Sequence, residues 1–311
     1  MSEFIGIDTS NYTSSCAIYN SDDDSFISYK KLLPVTSGQL GLRQSDAVFH
    51  HNKNLPHLLE DLLDRSSKKI AAVSASYAPR DCDGSYMPCF SVGEGYAFVL
   101  SSAFSAKKYL FSHQAGHIAA AVHSSGHKEL IEKEFIAFHV SGGTTDVLLV
   151  TPDDDDIFKI KLVASSLDLK AGQAVDRAGV MLGLDFPAGK FIDSLACQSD
   201  KQFKTKPFFK DGSCSFSGLE NKCKTMNDQG IPHCDIAKYC IDYITQALRL
   251  MTIDALNKYG NLPLLFAGGV MSNSIISKVI SDEFGAYFAK PEFSSDNAAG
   301  TAYLGYIREH R

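Results

Sequence analysis

The sequence predicts a duplicated, two-domain α/β fold, and three observations carry the prediction. One order of elements (strand, polar loop, strand, acidic turn, strand) occurs twice along the chain. Each copy is followed by segments of helical period and by further short apolar strands. The 311 residues suit two domains of ordinary size, at roughly 100 to 200 residues each.

The first copy, FIGIDTSNYTSSCAIYNSDDDSFISYKKLL, reads as a strand over 4–7, a Ser/Thr-rich loop through Thr13, a strand at 16–19, a turn at Asp22, Asp23 and Asp24, and a strand from Phe26. The second, FIAFHVSGGTTDVLLVTPDDDDIFKIKLV, reads as a strand over 135–140, a Gly-rich loop at 141–145, a strand through Val150, a turn at 153–156 and a strand from Phe158. Hairpin tips need only polar turn formers, so both acidic turns are read as solvated. Small residues at Ser124, Ser125 and Gly126 mark the boundary. The N-terminal domain then covers 1–125 and the C-terminal domain 126–311, with the last helix packing back at the cleft. Two such meanders with facing loops describe the actin, hexokinase and Hsp70 type of fold. This is the actin-like (ASKHA, ribonuclease H-like) ATPase architecture, in which both hairpin loops wrap one nucleotide.

Hydrophobic residues make up 44% and charged residues 21% of the chain, the balance of a core-forming protein. No apolar run approaches the roughly 20 residues that span a bilayer, and MSEFIGIDTS opens without a basic region. The protein is therefore placed in the cytoplasm, with no membrane partner. The eight cysteines are scattered without a Cys-x-x-Cys pair, which favours reduced thiols over metal clusters or disulfides. A net charge of −6 repels nucleic acid, so an RNA contact needs a local basic patch. Lys201, Lys204, Lys206 and Lys210 form the obvious cluster, read as a solvated loop without interleaved stacking aromatics.

Candidate chemistry sits in a few segments. In Ser141-Gly142-Gly143-Thr144-Thr145, glycines allow close backbone approach and successive N–H groups suit a phosphate, although a Gly-Gly pair also serves as a plain hairpin turn. AGGVMSN repeats the device: a strand, then Gly268 and Gly269, then Asn273 opening a helix. His113 and His117, four apart, share one helix face within reach of one metal ion, without the glutamate of a zinc protease. His139 ends an apolar strand, where an imidazole needs a hydrogen bond or a metal. Asp296, Asp176, Gly189 and Asp193 interrupt apolar helical segments, and each also reads as a cap or turn.

These pieces, in this order, resemble the TsaD-type family of tRNA threonylcarbamoyladenosine transferases, also labelled glycoproteases, sialoglycoprotein endopeptidases or peptidase M22-like proteins. The shared motifs span nearly the whole chain: FIGIDTS, His50 before Leu55-Pro56, the His113 to His117 helix, VSGG, AGQAVD, LGLDFPAG, SFSGLENK, AGGVMSN and SSDNAAGTAY. The resemblance implies that His113, His117 and Asp296 hold one divalent metal, iron or zinc, with His139 replacing a tyrosine ligand. It implies that Ser141, Gly142 and Gly143 take the phosphate of ATP, AMP or a carbamoyl-adenylate, Asp176 its ribose and Asn273 its adenine side. Gly189, Asp193, Gly268 and Gly269 complete that pocket. The implied reaction moves a threonylcarbamoyl group from the adenylate to the amine of a tRNA adenosine, with AMP leaving.

Three departures point to a divergent paralogue. The first loop reads Ser10-Asn11-Tyr12-Thr13-Ser14 where the family has SCDET, Thr144 replaces the histidine of SGGHT, and APRDCDGSYMPCF replaces a GPG segment. Asp8, Ser10 and Thr144 remain as catalytic candidates. Two alternatives stand beside the transferase: a non-catalytic nucleotide-binding paralogue that heterodimerises with a true transferase through its N-terminal domain, and an actin-like ATPase or small-molecule kinase relying on Asp8.

Overall fold

A computed structural model describes residues 2–10, 12–34, 42–293 and 298–311. These form two compact units. The first holds the described residues up to Gly126, Asp153–Phe158 and 298–311, and the second holds His127–Pro152 and 159–293.

In the first unit, β1 (Glu3–Ser10), β2 (Thr13–Asn20) and β3 (Ser25–Leu32) make an antiparallel meander. After α1 (Gln44–Leu63), β4 (Ile70–Ala78) joins β1 in parallel, and after α2 (Phe90–Ala103), β5 (Lys107–Ser112) extends the sheet to the order β3-β2-β1-β4-β5. One sheet face carries Ile5, Ile7, Cys16, Ile18, Val73 and Ala75 against Leu55, Leu59 and Leu62 of α1 and Val92 and Ala97 of α2. β1 and β2 are buried along nearly their whole length, their apolar runs Phe4–Ile7 and Cys16–Tyr19 included. α3 (His113–Ser125) follows β5 directly, capped by the Ser112 hydroxyl, which accepts from the Ala115 N–H at 3.2 Å. Gly126, at φ +80, ends it.

The acidic turn after β2 is exposed, as expected of a hairpin tip, and its carboxylates also take partners. Asp22 pairs with Lys68 at 2.6 Å, while Asp24 accepts from the Tyr19 hydroxyl and from His123 of α3, each at 2.8 Å. The reason is local: α3 ends beside the tip and brings an imidazole to it.

The second unit repeats the plan. β6 (Phe135–Val140), β7 (Thr145–Asp153) and β8 (Ile157–Ser165) are the meander; β11 (Leu264–Ala267) joins β6 in parallel and β12 (Tyr287–Phe288) lies outside it. The order β8-β7-β6-β11-β12 matches β3-β2-β1-β4-β5. Between meander and crossover lie α4 (Ala171–Met181), α5 (Gly189–Ala196), the small hairpin β9 (Phe208–Lys210) and β10 (Ser213–Ser215), α6 (Ser217–Asp228) and α7 (His233–Tyr259), with α8 (Ser274–Phe284) after β11. Phe138 and Phe266 stack at 4.3 Å in a core shared with Val175, Ile192, Leu219 and Ile244.

The last helix, α9 (Ala298–His310), was assigned by sequence to 126–311 but groups with the first unit. Glycine allows it: a Cβ on Gly300 would lie 1.9 Å from the Gly116 carbonyl of α3, and one on Gly6 would lie 2.0 Å from the Ala298 carbonyl. Tyr303 and Tyr306 then pack edge-on against Tyr19 and Phe4, each pair at 5.3 Å. Among the described residues, no helix is long and apolar enough to cross a membrane.

β2 and α1 are joined by Ser14 and His51, whose Oγ and Nδ1 lie 2.8 Å apart. His51 is 0% exposed. Burial pushes its pKa from 6.5 down to about 4, against the opposing charge of Asp8. The unfolded chain thus takes up this proton first, so the contribution is complete above pH 6.5 and is lost as pH falls towards 4. Urea unfolding across that window is expected to show the wild-type midpoint falling more steeply than that of His51→Asn; parallel curves would remove His51 as the cause.

Candidate functional site

A cavity of about 420 Å³ opens in the second unit, a size suited to a small ligand. Of the residues singled out by sequence, Gly142, Asp176, Gly189, Asp193, Gly269 and Asn273 line it. Ser141, Gly143 and Gly268 are not among the lining residues and shape the wall from behind. Gly268, at φ +103, leaves no room for a side chain, since a Cβ would stand 2.3 Å from the Val140 carbonyl.

The loop after β6 is tied to itself. Ser141 N–H donates to the Thr144 carbonyl at 2.7 Å, and the Ser141 hydroxyl accepts from the N–H groups of Gly143 at 3.3 Å and Thr144 at 3.1 Å. Two of the amides expected to face a phosphate are therefore occupied within the loop. Gly172 of α4, which the sequence reading passed over inside AGQAVD, holds the loop in place. Its N–H donates to the Ser141 carbonyl at 3.2 Å, and a Cβ there would stand 2.6 Å from the Gly142 nitrogen.

The opposite walls come from helix starts. Asp176 accepts from the Ala188 N–H at 2.8 Å, fixing the turn before α5. Asn273 caps α8, its Oδ1 accepting from Ile275 at 3.1 Å and Ile276 at 3.0 Å. Asp193 accepts from the Ser274 hydroxyl at 3.0 Å. The start of α8, whose first N–H groups go to Asp193 and Asn273, and Lys190, another lining residue unmarked by sequence, share the cavity with the carboxylates of Asp176 and Asp193. Val175, Val270 and Ile276 add apolar wall.

A second cluster lies in the first unit. Asp8, on β1 and 1% exposed, accepts from Ser76 of β4, from His113 Nδ1 at 2.9 Å and from the Ser10 N–H at 3.4 Å. Burial works to raise its pKa, but the charge of His113 and these hydrogen bonds outweigh it and hold the carboxyl below its usual range. His113 and His117 stand on adjacent turns of α3 with ring centroids 4.8 Å apart. His139 belongs to the second unit, at the end of β6 opposite Asp146 in the ladder. Asp296 lies outside the described residues. Among the described residues, no group of three or more His, Cys, Asp or Glu side chains is placed to hold a metal ion. Ser10 is half-buried beside Asp8, and Thr144 is half-buried in the loop. His50, part of the motif shared with the family, is half-buried on α1, and its neighbour His51 is fully buried.

Residues 36–303 match the family described as tRNA N6-adenosine threonylcarbamoyltransferase. The chain belongs to this family. A relative of that name from Sulfurihydrogenibium is 29% identical over 98% of this chain and 90% of its own length. One from Persephonella marina is likewise 29% identical over 98% of this chain and 90% of its own length. The family's members are transferases. At the level of fold, the chain is similar to component A of (R)-2-hydroxyglutaryl-CoA dehydratase from Acidaminococcus fermentans, with a TM-score of 0.58 at 16% identity and full coverage of both chains. It is also similar to full-length HypF in its phosphate- and nucleotide-bound form, with a TM-score of 0.59 at 10% identity over 98% of this chain and 55% of that one. The duplicated actin-like fold expected from the two meanders is thus found.

Proposed function

We propose that this chain moves a threonylcarbamoyl group from an adenylate to the exocyclic amine of an adenosine in tRNA. The observation that carries the reading is the cavity of the second unit. Lys190 suits the adenylate phosphate, Asp176 and Asp193 supply acceptors for ribose hydroxyls, and Val175, Val270 and Ile276 suit a purine face. In the reaction the amine nitrogen bonds to the carbamoyl carbon and gives up a proton to solvent, the bond from that carbon to the phosphate oxygen breaks, and AMP leaves with the electron pair. The chain's part is to hold the leaving phosphate and to orient the carbonyl.

On this reading His113 and His117 of α3 would take part in holding a divalent ion, iron or zinc, which would supply Lewis-acid polarisation. The histidines of α3 fit that role, because the carboxylate of Asp8 binds Nδ1 of His113 and so assigns ligation to Nε2. Asp8→Asn is expected to lower zinc affinity about 10–100-fold in a chelator competition. Equal affinity in variant and wild type would show that this contact does not serve a metal.

One observation favours the second reading, a non-catalytic nucleotide-binding paralogue: the loop from Ser10 to Thr13 has no carboxylate. Purified protein given threonylcarbamoyl-adenylate and unmodified tRNA separates the two, modified adenosine with release of AMP being the expected result. Adenylate binding without transfer leaves the paralogue. Gly172→Ala is expected to weaken AMP binding ~10-fold or more, since overpacking costs about 1–3 kcal/mol where its Cβ meets Gly142. Calorimetric titration with AMP checks this, and undiminished affinity would detach the loop from the ligand.

A further inference from the structure

The cavity leaves one exposed feature of the second unit unused. Residues 199–210 run as an extended strap along α7. Alternate residues anchor it: the Ser199 hydroxyl donates to Asp235 at 2.6 Å, the Phe203 N–H donates to Asp242 at 3.0 Å, and the Thr205 hydroxyl donates to the Asp242 carbonyl at 3.3 Å. The Phe203 ring meets Tyr239 edge-on at 5.5 Å, Pro207 is buried, and Phe209 packs on the core.

The intervening residues Lys204, Lys206, Phe208 and Lys210 are exposed, Phe208 by 57%. At an extended rise of about 3.3 Å per residue, successive outward groups stand about 6.6 Å apart. None of these three lysines forms an ion pair among the described residues. The two α7 carboxylates that anchor the strap pair with other lysines, Asp235 with Lys201 at 2.6 Å and Asp242 with Lys238. This corrects the sequence reading of a loop without aromatics, because Phe203, Phe208 and Phe209 interleave with the lysines and Phe208 shares their exposed side. Lysine on an edge strand also guards against strand pairing, but that accounts only for Lys210, since Lys204 and Lys206 precede β9.

We propose that this strap is a contact for single-stranded RNA, its three ammonium groups following phosphates while a base stacks on Phe208. The inference rests on the tRNA reading above and adds where the acceptor is held. In a chain of net charge −6, attraction for RNA must come from a local stripe that carboxylates do not neutralise.

The test titrates the full-length protein, a Lys204→Gln, Lys206→Gln, Lys210→Gln variant and Phe208→Ala with unmodified tRNA and with single-stranded oligoadenylate over a range of salt. Each single-strand phosphate contact contributes about 0.7 to the slope of log K against log salt, so the triple variant is expected to lose about 2 units of slope. Phe208→Ala is expected to bind ~10-fold more weakly at unchanged slope. Urea midpoints matching wild type show that both variants are folded. A wild-type slope and affinity in the triple variant overturns the strap alone, leaving the transferase reading in place. Absence of tRNA binding by the unaltered protein overturns both. Polyglutamate that competes with tRNA and ignores Phe208→Ala assigns the stripe to an acidic protein and overturns the proposal.

Discussion

A carboxylate enclosed at the end of β1 sets the terms for the first unit. An ionised group removed from water must find donors, and Asp8 draws them from β4 through Ser76, from α3 through His113 and from its own loop through Ser10. The central strand, its parallel neighbour and the helix that follows β5 are thereby brought to one point. His51, nearby on α1, shows the opposite solution: with no carboxylate in contact and its Nδ1 on a serine, it stays neutral.

The second unit uses the same strand order for a different end. Its walls depend on main chain meeting main chain, at Gly172 beneath Gly142 and at Gly268 against Val140, with few charged groups involved. Side chains that could bind a ligand are partly spent on scaffold duties: Asp176 on the turn before α5, Asn273 on the cap of α8, Ser141 on its own loop.

How much of this was legible follows from the range of each interaction. The meanders were readable because alternation, turn chemistry and apolar runs are local, and their recurrence exposed the duplication. The cavity lining was readable at Gly142, Gly189, Gly269 and Asn273, which stand beside strand or helix ends, and at Asp176 and Asp193, acids inside short helices with an apolar face. Gly172 and Lys190 escaped, since their importance arises from a loop about thirty positions away and from the turn of a short helix. The burial of His51 was not legible, because neighbours on a helix differ only in the face they present. The acidic tip looked idle until α3 placed His123 beside Asp24. The affiliation of α9 was also beyond local reading, since small residues at positions 6, 116 and 300 acquire meaning only once they touch.

That affiliation bears on the order in which the protein can be built during synthesis. The strands and early helices of the first unit are made before the second unit, yet the helix laid against β1 and α3 is made after it. Until it emerges, Phe4 and Tyr19 have no Tyr306 and Tyr303 to cover them, while nearly all of the second unit has already left the ribosome. The half that starts the chain is therefore the last to close, and its exposed aromatic face is the surface a chaperone would have to shield in the meantime.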